Sequence, residues 1–347
     1  MLRFRYIVLI LLAIVLLVNV IVFFLWKCTH IKVLEIYFKR ILPFFVPVFT
    51  LLGIIFFSSA ILAKKELGVT AEEQIKQQFN DVRGKKYDVI ILGNSRLYRG
   101  INPKLLNYNC YNFSFDNDSF LECFYKLKYL EKNDRLPNKI LLGVDYFEFS
   151  FVSVSNKSIY DLFFDNEYDE VLANGNYLSL EKSRNLDKRI NRQFNTFCIF
   201  NYYNAISYIY NKYFLGDKNI SYVSELGQYR IYPQPKASRG DFLTRSSVII
   251  SEQKKSYNDI IKLCDEKNIK LVLIMLPLRE IELNCYKEDT IKKFDIIFNS
   301  VPTVDYLNFS SIENFTLKDF MDDTHLNLDG ADKFTSILNI KLQDINF

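Results

Sequence analysis

Two long apolar runs place the strongest constraint on what this 347-residue chain can fold into. Residues 6–26 carry no charged side chain and are interrupted only by Asn19, and residues 41–63 are equally free of charge. Each run is long enough, at about 1.5 Å per residue, to cross a hydrocarbon layer of about 30 Å. A pair of buried helices in a soluble protein is the alternative, but uncharged runs of this length favour membrane spans. We therefore expect a membrane anchor with two transmembrane helices over residues 1–63.

Positive charge is concentrated beside these two runs. Residues 1–63 carry six Lys or Arg against Glu35, a net charge of +5, whereas the whole chain has +4, which leaves −1 for the remainder. Because the basic residues flank the bilayer, we expect membrane lipid as a partner and no nucleic acid. Four of them lie in the loop between the runs, and if this loop is cytoplasmic, everything after Ala63 lies outside. We expect the protein in the cell membrane, with its main domain on the extracytoplasmic side.

The rest of the chain alternates between strand and helix patterns. Residues 64–86 are polar and predict a connector helix, and residues 87–347 then predict one α/β domain. The apolar runs "YDVIILG", "KILLGVDYF", "IKLVLIMLPL" and "TVDYLNF" are typical of buried strands. Helix-like segments such as "SFLECFYKLKYLEKN" and "SEQKKSYNDIIKLCDEKN" separate them. Buried strands that alternate with helices indicate a parallel sheet covered on both faces.

The alternation stops at about residues 150–249, which we interpret as an insertion rich in aromatic residues. Its densest part, residues 200–214, reads "FNYYNAISYIYNKYF". These tyrosines can form the core and surface of a cap, or they can form a surface on which sugar rings stack.

Five cysteines follow residue 63, an odd number without metal-ligand spacing, so neither a full disulfide framework nor a metal site is expected.

Only one histidine, His325, is available to the predicted α/β domain, because His30 lies between the apolar runs. Asp322 precedes it by three residues, and both fall on the loop between the last strand and the last helix. Ser95 follows the first strand, at the same carboxyl edge of the sheet, where open α/β folds place their ligand sites. A serine at such a turn can be an exposed nucleophile, or it can simply cap the following helix.

Taken together, "ILGNSR" and "DDTH" resemble the first and last sequence blocks of the SGNH (GDSL-type) hydrolases. The resemblance covers about residues 87–147 and 251–342. It implies a flavodoxin-like three-layer sandwich around a parallel sheet and a catalytic Ser-His-Asp triad without a cofactor. Residue by residue, Ser95 matches the nucleophile, His325 the general base, and Asp322 the carboxylate that orients the imidazole.

The two middle blocks differ from the family pattern. The oxyanion-hole glycine aligns with Asn117 in "YNFSFDNDSF", and the asparagine of the third block becomes Asp145 in "LLGVDYF". The resemblance thus implies an oxyanion hole of Ser95, Asn117 and Asp145. An ionised Asp cannot donate a hydrogen bond. Either Asp145 is protonated, or the hole relies on the backbone N–H groups of Ser95 and Asn117.

The architecture resembles the membrane-anchored SGNH proteins that serve bacterial envelope acylation. The leading hypothesis is a serine acyl-esterase or O-acyltransferase that acts on an acylated envelope polysaccharide, with a membrane-bound O-acyltransferase as a partner. The alternative is a catalytically weak or inactive relative that binds polysaccharide or scaffolds such an acyltransferase. A nucleotide- or phosphate-binding α/β domain is a third hypothesis, but the turn after the first strand has a single Gly and no following Lys-Ser/Thr.

Overall fold

The structure, a computed structural model, describes residues 71–151, 157–174, 222–231 and 247–347, together with positions 24, 28, 32 and 36. Apart from position 24, the runs 6–26 and 41–63 that we expect to cross a membrane lie outside the described residues. Among the helices that are described, none combines the length and the apolar character needed to cross a bilayer. The aromatic segment 200–214 also lies outside.

A five-stranded, fully parallel sheet forms the centre of the described domain. Its spatial order is β2-β1-β3-β6-β7, which is the order of flavodoxin-like folds. All four strands predicted from the sequence are present in it. The fifth, β2, is not apparent from the sequence because it is only three residues long. The strands are β1 Val89–Leu92, β2 Cys110–Asn112, β3 Lys139–Gly143, β6 Lys270–Met275 and β7 Asp305–Asn308.

Helices cover both faces of this sheet. They are α1 Ala71–Gly84, α2 Ser95–Gly100, α3 Phe120–Lys132, α4 Lys157–Tyr160, α5 Asn166–Asn174, α6 Ser251–Glu266, α7 Glu280–Leu283, α8 Glu288–Phe298 and α9 Leu328–Asp344. Short 3₁₀ turns are found at Pro103–Leu105, Glu148–Ser150 and Leu317–Asp319. A two-stranded antiparallel hairpin, β4 Tyr222–Val223 and β5 Tyr229–Arg230, comes from within the predicted insertion.

Two hydrophobic cores lie on opposite faces of the sheet, since successive side chains of a strand point in opposite directions. Ile90 and Leu92 of β1 belong to the core that contains α1, α3, α6 and α8. Val89 and Ile91 belong to the other core, with α2 and α9. The three layers follow from this alternation, and the carboxyl ends of β1, β3 and β7 meet at one edge.

Helix α1 belongs to the first core. The polar sequence of residues 64–86 predicts a connector outside the α/β domain, yet Ile75, Phe79 and Val82 are buried. Their spacing of four and three residues puts them on one face of the helix. The Phe79 ring lies 4.9 Å from that of Phe113, beyond the end of β2. Over Ala71–Gly84 the predicted connector is therefore an amphipathic core helix of the domain.

Candidate active site

Ser95 lies at the first position of α2, directly after the turn that follows β1. Gly93 has a φ of 154°, and a side chain there would press on Leu97 and on the backbone of Gly143. The next residue, Asn94, is the helix cap, because its Oδ1 accepts a hydrogen bond from the Arg96 N–H at 2.9 Å. The capping role that the sequence left open for Ser95 is thus filled by Asn94.

The Ser95 hydroxyl faces His325. Its Oγ lies 2.7 Å from Nε2 of His325, although the two residues are 230 positions apart in the chain. On the other side of the ring, Nδ1 lies 2.9 Å from Oδ2 and 3.0 Å from Oδ1 of Asp322. The three residues predicted from the sequence are therefore brought together in the order hydroxyl, imidazole, carboxylate.

Local hydrogen bonds shape the loop that carries Asp322 and His325. Oδ1 of Asp322 accepts the backbone N–H groups of Thr324 and His325, each at 2.8 Å, in an Asx turn. The loop closes with a bond of 2.9 Å from the Met321 N–H to the His325 carbonyl. Asn327 then caps α9, with its Oδ1 2.9 Å from the Gly330 N–H. The short spacing of Asp322 and His325 is what allows one turn to hold both.

Burial and two neighbouring arginines favour the neutral form of the imidazole. Burial lowers the pKa of His325 below its usual 6.5, and the positive charges of Arg99 and Arg96 lower it further, against the hydrogen bond to Asp322, which raises it. Although burial alone would raise the pKa of Asp322, its bonds to His325 and to the Asx-turn N–H groups hold it well below its ordinary value. A neutral imidazole beside an ionised carboxylate can accept a proton at Nε2.

Asp145, the third expected oxyanion-hole residue, forms a buried ion pair. Its Oδ2 lies 2.6 Å from Nη1 of Arg96, and its Oδ1 accepts the Tyr146 N–H at 2.9 Å. Nη2 of Arg96 reaches Oε1 of Glu282 at 2.6 Å. Burial lowers the pKa of Arg96, but the neighbouring anions, Asp145 foremost, raise this pKa above its ordinary value. With both oxygens accepting, Asp145 is not placed to donate the hydrogen bond that the expected three-donor hole would take from it.

Asn117 lies in the turn between β2 and α3, in the left-handed conformation with a φ of 63°. This is the backbone geometry that a glycine supplies in the family pattern, and asparagine tolerates it better than most residues. Of the two alternatives left open by the sequence, the ion pair of Asp145 favours the second, in which the backbone N–H groups of Ser95 and Asn117 bind the oxyanion.

Several polar residues around the nucleophile were not anticipated from the sequence. Glu148 accepts a hydrogen bond from Nδ2 of Asn94 at 2.8 Å, and its burial raises its pKa well above the usual range. Arg99 contacts both the Ser95 carbonyl and Asp116. Glu148 and Asp116 come from segments other than that of Ser95, and the spacing of four between Ser95 and Arg99 on α2 does not by itself indicate a functional contact. In the described ranges, no group of three or more His, Cys, Asp or Glu is arranged to hold a metal ion.

No protein family model matches the chain, and no curated protein matches it significantly. Twelve chains of solved structures match it, and two of them are described here. One is a Streptococcus pneumonia protein provisionally described as a platelet activating factor, with 10% identity, a TM-score of 0.36, and coverage of 79% of this chain and 93% of that one. The other is an acetyl xylan esterase from the rumen bacterium Butyrivibrio proteoclasticus, with 8% identity, a TM-score of 0.29, and coverage of 74% and 63%. Similarity at this level carries no functional inference.

Proposed function

We propose that the protein is a membrane-anchored serine acyl-esterase or O-acyltransferase of the SGNH type that acts on a cell-envelope glycan. One observation carries the chemistry: Ser95, His325 and Asp322 are joined by hydrogen bonds of 2.7 and 2.9 Å in the order that acyl transfer needs. The anchor is inferred from the apolar runs at residues 6–26 and 41–63, and the glycan from the resemblance of the sequence to envelope-acylating SGNH proteins.

The reaction has two steps, acylation of Ser95 and deacylation. Ser95 Oγ attacks the ester carbonyl while Nε2 of His325 takes the hydroxyl proton, and Asp322 stabilises the resulting imidazolium. The tetrahedral oxyanion is bound by the N–H groups of Ser95 and Asn117. Its collapse breaks the ester bond, and the proton on Nε2 passes to the leaving alkoxide. Water or a sugar hydroxyl then attacks the acyl-enzyme and gives its proton to Nε2. Collapse of this second tetrahedral intermediate breaks the bond between the acyl carbon and Ser95 Oγ, and Oγ takes the proton back from Nε2.

A covalent probe tests this proposal directly. A fluorophosphonate should label the purified full-length protein at Ser95, because the probe requires a serine activated by a base. The Ser95→Ala variant should not be labelled. Ser336→Ala is the matched control, since Ser336 is exposed on α9 and its hydroxyl bonds only the Asp332 carbonyl. It should be labelled like the wild type.

The alternative function is a catalytically weak or inactive SGNH-like protein that binds polysaccharide or scaffolds a membrane acyltransferase. The ion pair of Asp145 favours it, because a missing oxyanion donor typically costs on the order of 10²–10³ in rate. If folded wild-type protein is not labelled by the fluorophosphonate, the enzyme proposal is wrong and this alternative replaces it. Labelling of the wild type together with loss of labelling in Ser95→Ala excludes an inactive protein, and kcat on a chromogenic ester then separates a weak enzyme from an efficient one.

The value of kcat/KM for ester hydrolysis should fall as the solution becomes acidic, and the midpoint of this fall should lie below pH 6.5. His325 accepts a proton only when neutral, and burial and the neighbouring arginines lower its pKa from 6.5, so the neutral form persists into more acidic solution. The check is kcat/KM for a chromogenic ester from about pH 4 to about pH 9. A midpoint at or above 6.5 would contradict the electrostatics described for His325.

The sidedness of the domain can be tested with an introduced thiol. Four cysteines of the domain, Cys110, Cys123, Cys264 and Cys285, are buried, so they are poor targets for a reagent. Lys262 on α6 has a side chain that is 74% exposed. In intact spheroplasts, an impermeant maleimide should label Lys262→Cys above the wild-type background if the domain is extracytoplasmic. Extra labelling that arises only after lysis would show the opposite orientation.

A further inference from the structure

We propose that Arg99 is a positioning residue that joins the two backbone segments of the oxyanion hole. This inference rests on the proposed function. One segment is the start of α2, with the Ser95 N–H, and the other is the turn after β2 that carries Asn117. The Arg99 side chain spans them. Nη1 donates to the Ser95 carbonyl at 3.1 Å, and the two terminal nitrogens pair with the two carboxylate oxygens of Asp116, Nη2 with Oδ2 at 2.9 Å.

The guanidinium is held in place from several sides. Its central carbon lies 5.3 Å from the ring centroid of Tyr229 and 5.8 Å from that of Tyr98. The Arg99 carbonyl also accepts a hydrogen bond of 2.8 Å from Nε2 of the buried Gln228. Only 11% of the Arg99 side chain is exposed. A bidentate fork in such surroundings fixes an angle as well as a distance, which a flexible ammonium cannot do.

The Asn117 turn is fixed at both of its ends. The Phe115 N–H donates to the Gly93 carbonyl at 3.2 Å, and Asp118 is buried and paired with Lys126 at 2.6 Å. Between them, Asp116 has a side chain that is 40% exposed, and its fork to Arg99 ties the middle of the turn to α2. Because asparagine at a positive φ needs support from its surroundings, this fork fixes the direction of the Asn117 N–H relative to Ser95.

The charge of Arg99 also acts on His325, which gives a second readout. The charged groups that influence the imidazole are Asp322 on its own loop and Arg99 and Arg96 on α2. Asp322 raises the pKa of His325, and both arginines lower it. Removing the Arg99 charge therefore raises the pKa of His325, whereas an Arg-to-Lys change keeps the charge and removes only the fork.

Three variants separate these effects. Arg99→Lys should lower kcat by about 10²-fold, the loss expected for a misplacement of about 1 Å, with KM nearly unchanged because ground-state binding does not use the oxyanion hole. Its acid midpoint should stay at the wild-type pH. Arg99→Gln should lower kcat at least as much and move the acid midpoint to higher pH. Asp116→Asn, at the more exposed end, keeps one acceptor and should lose kcat by about 10-fold.

The measurements are kcat, KM and pH profiles of the full-length protein, with melting curves to establish folding. Arg135→Lys is the matched control, since the Arg135 side chain donates to the carbonyls of Arg83 and Asp134, away from Ser95, Arg99 and Asp116. This control variant should have the kcat and the KM of the wild type. If Arg99→Lys and Asp116→Asn fold and retain kcat, or if KM alone changes, the positioning role is overturned while the function stands. A folded wild type without activity or labelling overturns both proposals.

Discussion

Replacing His325 with alanine should lower kcat for ester hydrolysis by about 10⁴-fold or more, with little change in KM. Without the imidazole, nothing in the site can take the Ser95 proton or return it to the leaving group, since Nε2 is the group 2.7 Å from Oγ. Asp322→Asn should cost less than His325→Ala, because the base survives but loses its orientation and the stabilisation of its charged form. Steady-state kinetics on a chromogenic ester measure both effects.

A double substitution tests whether the two residues act as one unit. Ser95→Ala and His325→Ala together should cost about as much as either alone, because each single change already stops the same step. Thr324→Ser is the matched control on the same loop, as it keeps a hydroxyl near Asp322 and should leave kcat within a few-fold of the wild type. Losses that multiply in the double variant would contradict a Ser95–His325 unit.

Replacing Arg96 with methionine should destabilise the domain by about 3–5 kcal/mol. Arg96 is paired with both Asp145 and Glu282, and the three side chains are between 0 and 5% exposed. Removing the cation leaves two buried carboxylates without a counter-ion. The cost of desolvating these carboxylates is then no longer offset by their Coulomb attraction to Arg96. The loss in the free energy of unfolding is measured on the full-length protein in a urea series, with susceptibility to trypsin as the readout of unfolding.

The matched control removes the whole cluster. A triple variant, Arg96→Met with Asp145→Leu and Glu282→Met, should recover much of the stability lost in Arg96→Met, because apolar residues of similar volume need no counter-ion. Arg96→Lys should lie between the wild type and Arg96→Met, since an ammonium keeps the charge but bonds fewer oxygens in fixed directions. A triple variant less stable than the single one would show that the cluster is not governed by desolvation.

The parallel sheet could be predicted because its long strands are continuous apolar runs. β1, β3 and β6 read as such, and their burial on both faces matches the sequence pattern. β2 escapes this criterion because it is short and ends in Asn112, a buried polar residue whose Nδ2 bonds the carbonyls of Leu97 and Ile101. Its partners are fixed by tertiary contacts, which a hydrophobic pattern does not encode.

The candidate site could be predicted in part for a similar reason. Ser95 and His325 each follow a strand on the same sheet edge, so their meeting follows from topology. The ion pair of Asp145 could not be predicted, because Arg96, Asp145 and Glu282 come from three separate segments and become neighbours only in the folded domain. The one signal in the sequence is a charged residue two positions beyond the buried strand β3, and it does not reveal the partner.

The hydrogen bond between Ser95 and His325 also has a consequence during synthesis. The nucleophile turn is translated 230 residues before the base, an interval of roughly 10–50 s at the usual elongation rates. Throughout that interval the emerging chain has a serine but no base and therefore no activated nucleophile. On the proposed function, the protein therefore becomes reactive only once His325 has been added and α9 has docked.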